Sequence, residues 1–207
     1  MSLPIKPTLY YVYDPMCSWC WGFNKTWGQV KNSLPNSINV QYILGGLAPD
    51  SNEPMPSEMR EYIQMNWRKI QQKIPDTEFN YTFWDNCHPR RSTYPACRAV
   101  IAVKNQKPEL EKVIIKLIQQ AYYLESKNPS EDDVLISLAK MLDIDITQFT
   151  QDLNSESTQQ LLSDDIALTQ SLGVSSFPSL VLKEADTIKP ISIDYNNADF
   201  ILNQIIT

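Results

Sequence analysis

The sequence has little of several things that would mark a specialised class of protein. Its 207 residues include one histidine, five glycines and four cysteines. No stretch approaches the roughly 20 apolar residues of a membrane-spanning helix, which argues against a membrane partner. The net charge is −6 and Lys and Arg form no dense stripe, which argues against nucleic acid because phosphate binding needs clustered positive charge.

The first residues also lack a basic start followed by an apolar segment, the pattern of a secretory signal. We therefore expect a cytoplasmic protein. Four cysteines are too few for a disulfide-stapled scaffold in a chain of this length. In a reducing compartment, a Cys-x-x-Cys pair such as Cys17 and Cys20 is more often catalytic or metal-binding than structural.

The segment around this pair has the pattern of strand, helix, strand. Residues 8–13 are aromatic and β-branched and predict a buried strand that ends at Asp14. Apolar residues then recur at steps of three and four from Cys20 to Leu34, which predicts one face of a helix. Residues 38–44 alternate apolar and polar and predict a second strand. Such a unit implies a right-handed parallel crossover.

The middle of the chain differs, because apolar residues recur there at helical spacing. Two such stripes run from Ile63 to Ile74 and from Leu110 to Ala121. Ser130 and Asp133 have the spacing of a capping box and predict the start of a further helix. Residues 47–156 are therefore predicted to form an all-helical insertion.

The last part of the chain predicts a helix, a β-hairpin and a closing helix, at residues 157–172, 180–182 with 188–193, and 200–205. The element order βαβ, insertion, αββα predicts an α/β protein with a thioredoxin-like fold. One domain would comprise residues 1–46 and 157–207, and residues 47–156 would form a helical insertion domain.

Helical geometry gives the two cysteines different roles in thiol-disulfide exchange. Cys17 lies where the helix begins, and unpaired N–H groups and the helix dipole stabilise a thiolate there. We therefore predict Cys17 as the nucleophile at an exposed first turn. Cys20 falls on the apolar face, sheltered but within reach of Cys17, and is predicted to be the resolving cysteine.

A zinc site is the main alternative chemistry for the pair, since Cys-x-x-Cys is also half of many zinc sites. Cys87, His88 and Cys97 could supply further ligands, but their spacing does not match common zinc modules. A zinc-stabilised interaction protein therefore remains a second-rank hypothesis, and we predict no metal. Cys87 and Cys97 could form a second redox pair, although structural thiols are favoured. His88 is expected to be a solvated loop residue.

The stretch Tyr-Asp-Pro-Met-Cys17-Ser-Trp-Cys20-Trp-Gly-Phe resembles the active-site segment of the DsbA-like family, and more narrowly its FrnE-like branch of disulfide oxidoreductases and isomerases. The resemblance covers essentially the whole chain, including residues 93–99 and 172–179. It implies oxidoreductase or isomerase activity. It also implies that Pro178 is a cis proline facing the dithiol, which would expose the backbone of Phe177 to an extended substrate.

Two features of the strongly oxidising members of that family are missing. Ser18 and Trp19 stand between the cysteines in place of Pro and His, so a highly oxidising potential is not expected. The first strand supplies no acid behind the dithiol, where Tyr11 stands instead. Asp14 lies on the following turn, and we expect it to be a turn residue or helix cap rather than a proton relay.

The predicted substrate contacts are Ser176, Phe177, Trp19 and Trp21. Substrates would be proteins or small molecules that carry disulfides or thiols, and a reducing or oxidising partner system would restore the dithiol. No cofactor is expected, apart from glutathione as a possible co-substrate.

Other residues have both a functional and an ordinary interpretation. Arg90, Arg91 and Arg98 could bind an anionic tail such as a glutathione carboxylate, although a solvated basic turn is favoured. Trp67 and Trp84 could line a substrate groove, although aromatic residues at helical spacing usually belong to the core.

A last alternative keeps the fold and changes the reaction. Kappa-class glutathione transferases and 2-hydroxychromene-2-carboxylate isomerases have a similar insertion and bind glutathione at the helix start and the proline loop. They generally have serine at the first motif position and lack the second cysteine. The intact pair of Cys17 and Cys20 therefore favours disulfide exchange.

Overall fold

The computed structural model of the chain describes residues 6–206. The strands are β1 (Thr8–Tyr13), β2 (Asn39–Leu44), β3 (Ser179–Glu184) and β4 (Thr187–Ile191). The helices are α1 (Ser18–Ser33), α2 (Ser57–Lys73), α3 (Phe83–Asn86), α4 (Tyr94–Gln106), α5 (Glu111–Tyr123), α6 (Asp132–Ala139), α7 (Ile146–Leu153), α8 (Glu156–Ser171) and α9 (Ala198–Ile206), with a short 3-10 helix at Pro108–Leu110.

The four strands form one mixed sheet in the order β2-β1-β3-β4. β1 runs parallel to β2, with Thr8 opposite Asn39, and antiparallel to β3, with Leu9 opposite Leu182. β4 lies at the edge and contains Pro190. Proline has no N–H to donate to a ladder, so an edge strand is where a sheet tolerates it.

Alternate residues of β1 face two different cores, as the period of a strand requires. Leu9, Tyr11 and Tyr13 pack into the large core that also includes α1 and α9. Val12 faces the opposite side of the sheet, where it packs with Ile43, Val181 and Leu172. The sheet is therefore covered on both faces and fixes the position of the turn after β1.

The six helices α2–α7 lie between β2 and α8 in sequence, and α4 is the most deeply buried of them. Its residues Pro95–Val103 are all buried. Sequence periodicity did not predict α4, because a helix that is buried on every side has no polar face to create a 3.6-residue pattern.

The predicted α/β thioredoxin-like fold with a helical insertion is confirmed. The predicted capping box is wrong. α6 begins at Asp132 after Glu131, with no side-chain cap, and the hydroxyl of Ser130 instead donates to the carbonyl of Ser92 at 2.6 Å. A buried hydroxyl takes the partner that tertiary packing offers. The division into domains at residues 46 and 157 stays a prediction.

Among residues 6–206, every helix is too short or too polar to cross a membrane.

Arg98 ties α4 to its neighbours, since its side chain is buried and fully hydrogen-bonded. The guanidinium donates to Asp50 at 2.7 and 3.0 Å, and also to Gln159 and Asn154. Its Nε donates to the carbonyl of Leu153 at 3.0 Å. Arg98 is therefore a structural residue, not the ligand-binding or solvated arginine considered above.

Replacing Arg98 with methionine should lower the free energy of unfolding by about 2–3 kcal/mol, because several charge-assisted hydrogen bonds made by a buried guanidinium are lost. Urea unfolding followed by circular dichroism measures this change. Lys107→Met is a suitable control, since it breaks an ion pair with the exposed Asp143. Equal losses in the two variants would contradict a structural role for Arg98.

Candidate dithiol site

Cys17 occupies the junction between β1 and α1. It is the N-cap of α1, with φ −80° and ψ 115°. Its N–H donates to the carbonyl of Asp14 at 3.0 Å, and its own carbonyl accepts from Trp21 N–H at 3.1 Å. The strand end and the helix start therefore hold the backbone of Cys17 from both sides, and the free N–H groups of the first turn lie beside it.

The expectation that Cys17 is exposed is wrong, since only 6% of it is accessible. The loop before β3 covers it, and the thiol donates to the carbonyl of Phe177 at 3.4 Å. The Phe177–Pro178 peptide bond is cis, as the family resemblance implies. Pro178 itself is buried, so Phe177 forms the contact surface of this loop.

Cys20 lies one turn further along α1 and is completely buried. Burial raises the pKa of the Cys20 thiol well above its ordinary value, and contact with the Cys17 sulfur raises it further. Tyr11 stands behind the pair, and burial followed by the charge of Cys20 raises the pKa of its hydroxyl. The Cys20 thiol is therefore not readily ionised.

A cavity of about 280 Å³ opens beside Cys17. One wall is the loop of residues 175–177, and another is formed by Arg90 and Arg91. Arg90 is already engaged, with Glu131 at 3.2 Å and Asn52 at 2.9 Å. The guanidinium of Arg91 takes part in none of the ion pairs found among residues 6–206. These arginines therefore line the dithiol cavity, which a solvated basic turn would not do.

The two tryptophans beside the cysteines point to different sides of α1. Trp19 lines the Cys17 cavity. Trp21 stacks on Tyr123 at a ring distance of 5.5 Å, and its indole N–H donates to the carbonyl of Glu78. Residues two apart on a helix differ in direction by about 200°. The structure thus brings Ser176, Phe177 and Trp19 to Cys17, but not Trp21.

Asp14 makes more contacts than a turn residue or helix cap requires. Its carboxylate is fully buried and accepts from the N–H groups of Met16 at 2.8 Å and Leu47 at 2.7 Å. It also accepts from the hydroxyl of Thr93 at 2.7 Å and the thiol of Cys97 at 3.5 Å. Asp14 is thus a turn residue, as expected, but it also joins the dithiol turn to α4.

The remaining cysteines have separate partners. The buried Cys97 contacts Asp14, and burial, followed by the charge of that carboxylate, raises the pKa of the Cys97 thiol. The half-buried Cys87 donates to the carbonyl of Ser126 at 3.2 Å. All four cysteines are free thiols. These contacts favour structural roles for Cys87 and Cys97.

The part of the chain that the structure describes contains no set of side chains that could serve as zinc ligands. No group of three or more His, Cys, Asp or Glu side chains there could hold a metal ion. His88 is exposed on a loop. Trp67 and Trp84 are both buried in the core, as their helical spacing suggested.

The raised pKa of Asp14 predicts the direction in which protein stability should change with pH. Burial raises it above the ordinary value of 3.8, against the effect of its hydrogen bonds. The contribution of Asp14 to stability is therefore complete below the pKa of an unfolded aspartate, about 3.9, and is lost as pH rises through the higher folded value. The stability difference between wild type and Asp14→Asn should accordingly shrink from about pH 4 toward neutrality.

Urea unfolding at several pH values measures this difference. Asp143→Asn is the opposite control, because Lys107 lowers the pKa of Asp143 and that carboxylate contributes only above its unfolded pKa. If the difference in free energy of unfolding between wild type and Asp14→Asn grows with pH, the hydrogen bonds to Asp14 affect its pKa more than burial does.

Comparisons with known proteins agree with this geometry. A crystal structure of a candidate protein disulfide isomerase from Nitrosomonas europaea superimposes with a TM-score of 0.83 at 28% identity, covering 98% of this chain and 96% of that one. Cytosolic disulfide reductase DsbM from Pseudomonas aeruginosa, also determined with GSH, gives a TM-score of 0.75 at 22% identity and covers 96% and 97% of the two chains. At that identity the likeness to DsbM shows the fold alone.

Among curated sequences, the ClpXP adapter protein SpxH of Halalkalibacterium halodurans is 26% identical over 188 residues. The match covers 85% of this chain but only 58% of that protein. The profile of the Thioredoxin_5 family, described as thioredoxin, matches residues 10–197. Since this match spans most of the sequence, the chain belongs to the Thioredoxin_5 family of DsbA-like proteins.

Proposed function

We propose that the protein is a thiol-disulfide oxidoreductase or isomerase that uses Cys17 and Cys20, within the FrnE-like branch of its family. One observation carries the proposal. The thiol of Cys17 lies at the start of α1, against the carbonyl of Phe177, with a cavity on its free side and a second thiol one turn behind. A purely structural cysteine pair would not need a substrate-sized cavity at one sulfur.

In the first step, the Cys17 thiolate attacks one sulfur of a disulfide R–S–S–R′. A bond forms between Cys17 and the R sulfur, and R′ leaves as a thiolate. The N–H groups at the start of α1 stabilise negative charge on Cys17 before the attack. The released R′ thiolate takes up a proton and leaves as a thiol.

In the second step, Cys20 loses its proton and attacks Cys17. The Cys17–Cys20 disulfide forms, and R leaves as a thiolate that takes a proton from water to become a second thiol. One disulfide has then been reduced and the dithiol oxidised, so a partner dithiol or two small thiols must return two electrons. The raised pKa of Cys20 slows this step, because little Cys20 is ionised at neutral pH.

The arginines favour a substrate with a carboxylate, such as glutathione or its mixed disulfides. Arg91 presents an uncompensated guanidinium to the cavity beside Cys17, and planar guanidinium groups suit carboxylates. A cavity of about 280 Å³ fits a small peptide better than a folded protein. The crystallisation of DsbM with GSH also supports this substrate class, and its description as cytosolic supports a cytoplasmic location.

The alternatives predict different behaviour of the cysteines. A transferase of the glutathione-binding type would not depend on Cys20. An adapter that only docks other proteins, as the SpxH relatives are named, would need neither sulfur for docking. The deeply buried Cys20 next to Cys17 therefore favours exchange chemistry over both.

Cysteine variants separate the two steps of the proposed reaction. With Cys17→Ser, no substrate should be captured. With Cys20→Ser, attack should continue without resolution, and a glutathione adduct on Cys17 should accumulate after treatment with oxidised glutathione. Intact mass spectrometry and peptide mapping detect the adduct, which excess dithiothreitol should remove.

Cys87→Ser is the matched control, since Cys87 is more exposed than either active-site sulfur and could be modified without any catalysis. In that variant the adduct on Cys17 should form unchanged. Adducts that require Cys87, or that form equally well in Cys17→Ser, would overturn the assignment.

The role of Arg91 has its own test. Arg91→Gln should raise the KM for glutathionylated substrates about tenfold, as expected for one charge-assisted hydrogen bond, and should leave kcat nearly unchanged because Arg91 does not touch the reacting sulfurs. Reduction of glutathionylated peptide, coupled to glutathione reductase, measures both constants.

Arg68→Gln removes an exposed arginine that lies over Tyr81 and serves as the charge-matched control. If the KM is the same in both variants, the carboxylate-binding role of Arg91 is excluded while the cysteine chemistry remains intact.

A further inference from the structure

A second cleft lies on the other side of α1 from the Cys17 cavity. It has a volume of about 470 Å³ and lies between α1, β2 and α5. We call it the lysine cleft, and its defining residues are Tyr13, Lys31, Tyr42, Lys112 and Lys116. Cys17 does not line it, so a ligand here would be separate from the disulfide substrate.

The floor of the lysine cleft is aromatic and fixed in place. Tyr11 packs against Trp27 with ring centroids 4.7 Å apart, and the indole of Trp27 donates to the hydroxyl of Tyr42 at 2.8 Å. Tyr42 is held edge-on to Tyr11 and Tyr13. Such a surface offers a preformed contact for a planar ring.

The rim is positively charged, although the chain as a whole carries −6. Lys31 comes from α1, and Lys112 and Lys116 come from α5. None of these three takes part in the ion pairs found among residues 6–206. A fourth lysine, Lys25, is paired with Asp76.

Two of these lysines face each other without an acid between them. Close contact with the Lys112 side chain, together with partial burial, lowers the pKa of Lys31 to about 8. The ammonium of Lys112 lies 5.5 Å above the ring of Tyr42. Glu111 is the neighbouring acid on α5, but it binds Lys104 at 2.7 Å. A bound anion would relieve the repulsion between Lys31 and Lys112.

We propose that the lysine cleft binds a small aromatic anion, with its ring on the aromatic floor beside Tyr42 and Trp27 and its anionic group between Lys31 and Lys112. Cationic groups on both sides recognise the charge, and the aromatic floor recognises the ring. The size of the cleft suits a molecule of one or two rings. This binding is independent of the proposed disulfide exchange.

The probe for this site is 8-anilinonaphthalene-1-sulfonate, an aromatic anion whose fluorescence rises on binding. It should bind the wild-type protein, and Lys31→Gln and Lys112→Gln should each weaken binding about tenfold, as expected for loss of one charge-assisted contact. The neutral analogue N-phenyl-1-naphthylamine should respond to neither substitution.

Lys140→Gln is the control, because it removes the same charge at an exposed position outside the cleft. Near-ultraviolet circular dichroism checks that each variant keeps its tertiary structure, so that dye binding does not report unfolding. Equal affinity in Lys31→Gln, Lys112→Gln and Lys140→Gln would overturn the proposal. Loss of binding in Arg91→Gln instead would put the dye in the Cys17 cavity and would also overturn it.

Discussion

The burial of the Asp14 carboxylate is the constraint on which the dithiol site depends. This one side chain accepts hydrogen bonds from the turn after β1, from the loop after β2 and from the start of α4. An ionisable group without water must be satisfied by fixed donors. The segments that supply these donors are therefore held together at the same place, directly before Cys17.

This constraint also explains how the helical part of the chain contributes to the site. Thr93 bonds to Asp14, and Arg90 and Arg91 lie just before it in sequence. Anchoring Thr93 to the dithiol turn therefore brings both arginines to the wall of the Cys17 cavity. The segment between β2 and α8, through the loop before α4, thus supplies charge to a site whose sulfurs lie at the start of α1.

Local patterns were enough to predict the strands, most helices and the burial of Cys20, but not the burial of Cys17. Residues 8–13 and the stripe from Cys20 to Leu34 depend on neighbours a few positions away, and the alternation of each element is visible in the sequence. What failed depends on distant contacts. The residues around Asp14 predict only a turn, because its hydrogen-bond partner Thr93 lies 79 positions away. Trp21 is an exception, because the rotation of the predicted helix by itself turns this side chain away from Cys17 and toward Tyr123.

The same burial that orders the site limits its chemistry. Tyr11 and Asp14 both lie near the sulfurs, and burial raises the pKa of each. Tyr11 stays protonated and the Asp14 carboxylate is occupied by its four donors, so neither is a free base for Cys20. In the proposed reaction, the thiolate released in the first step would be the nearest available acceptor for the proton of Cys20. Under the proposed mechanism, a small thiol that stays beside Cys17 after the first step would meet this requirement better than a leaving group on a large protein.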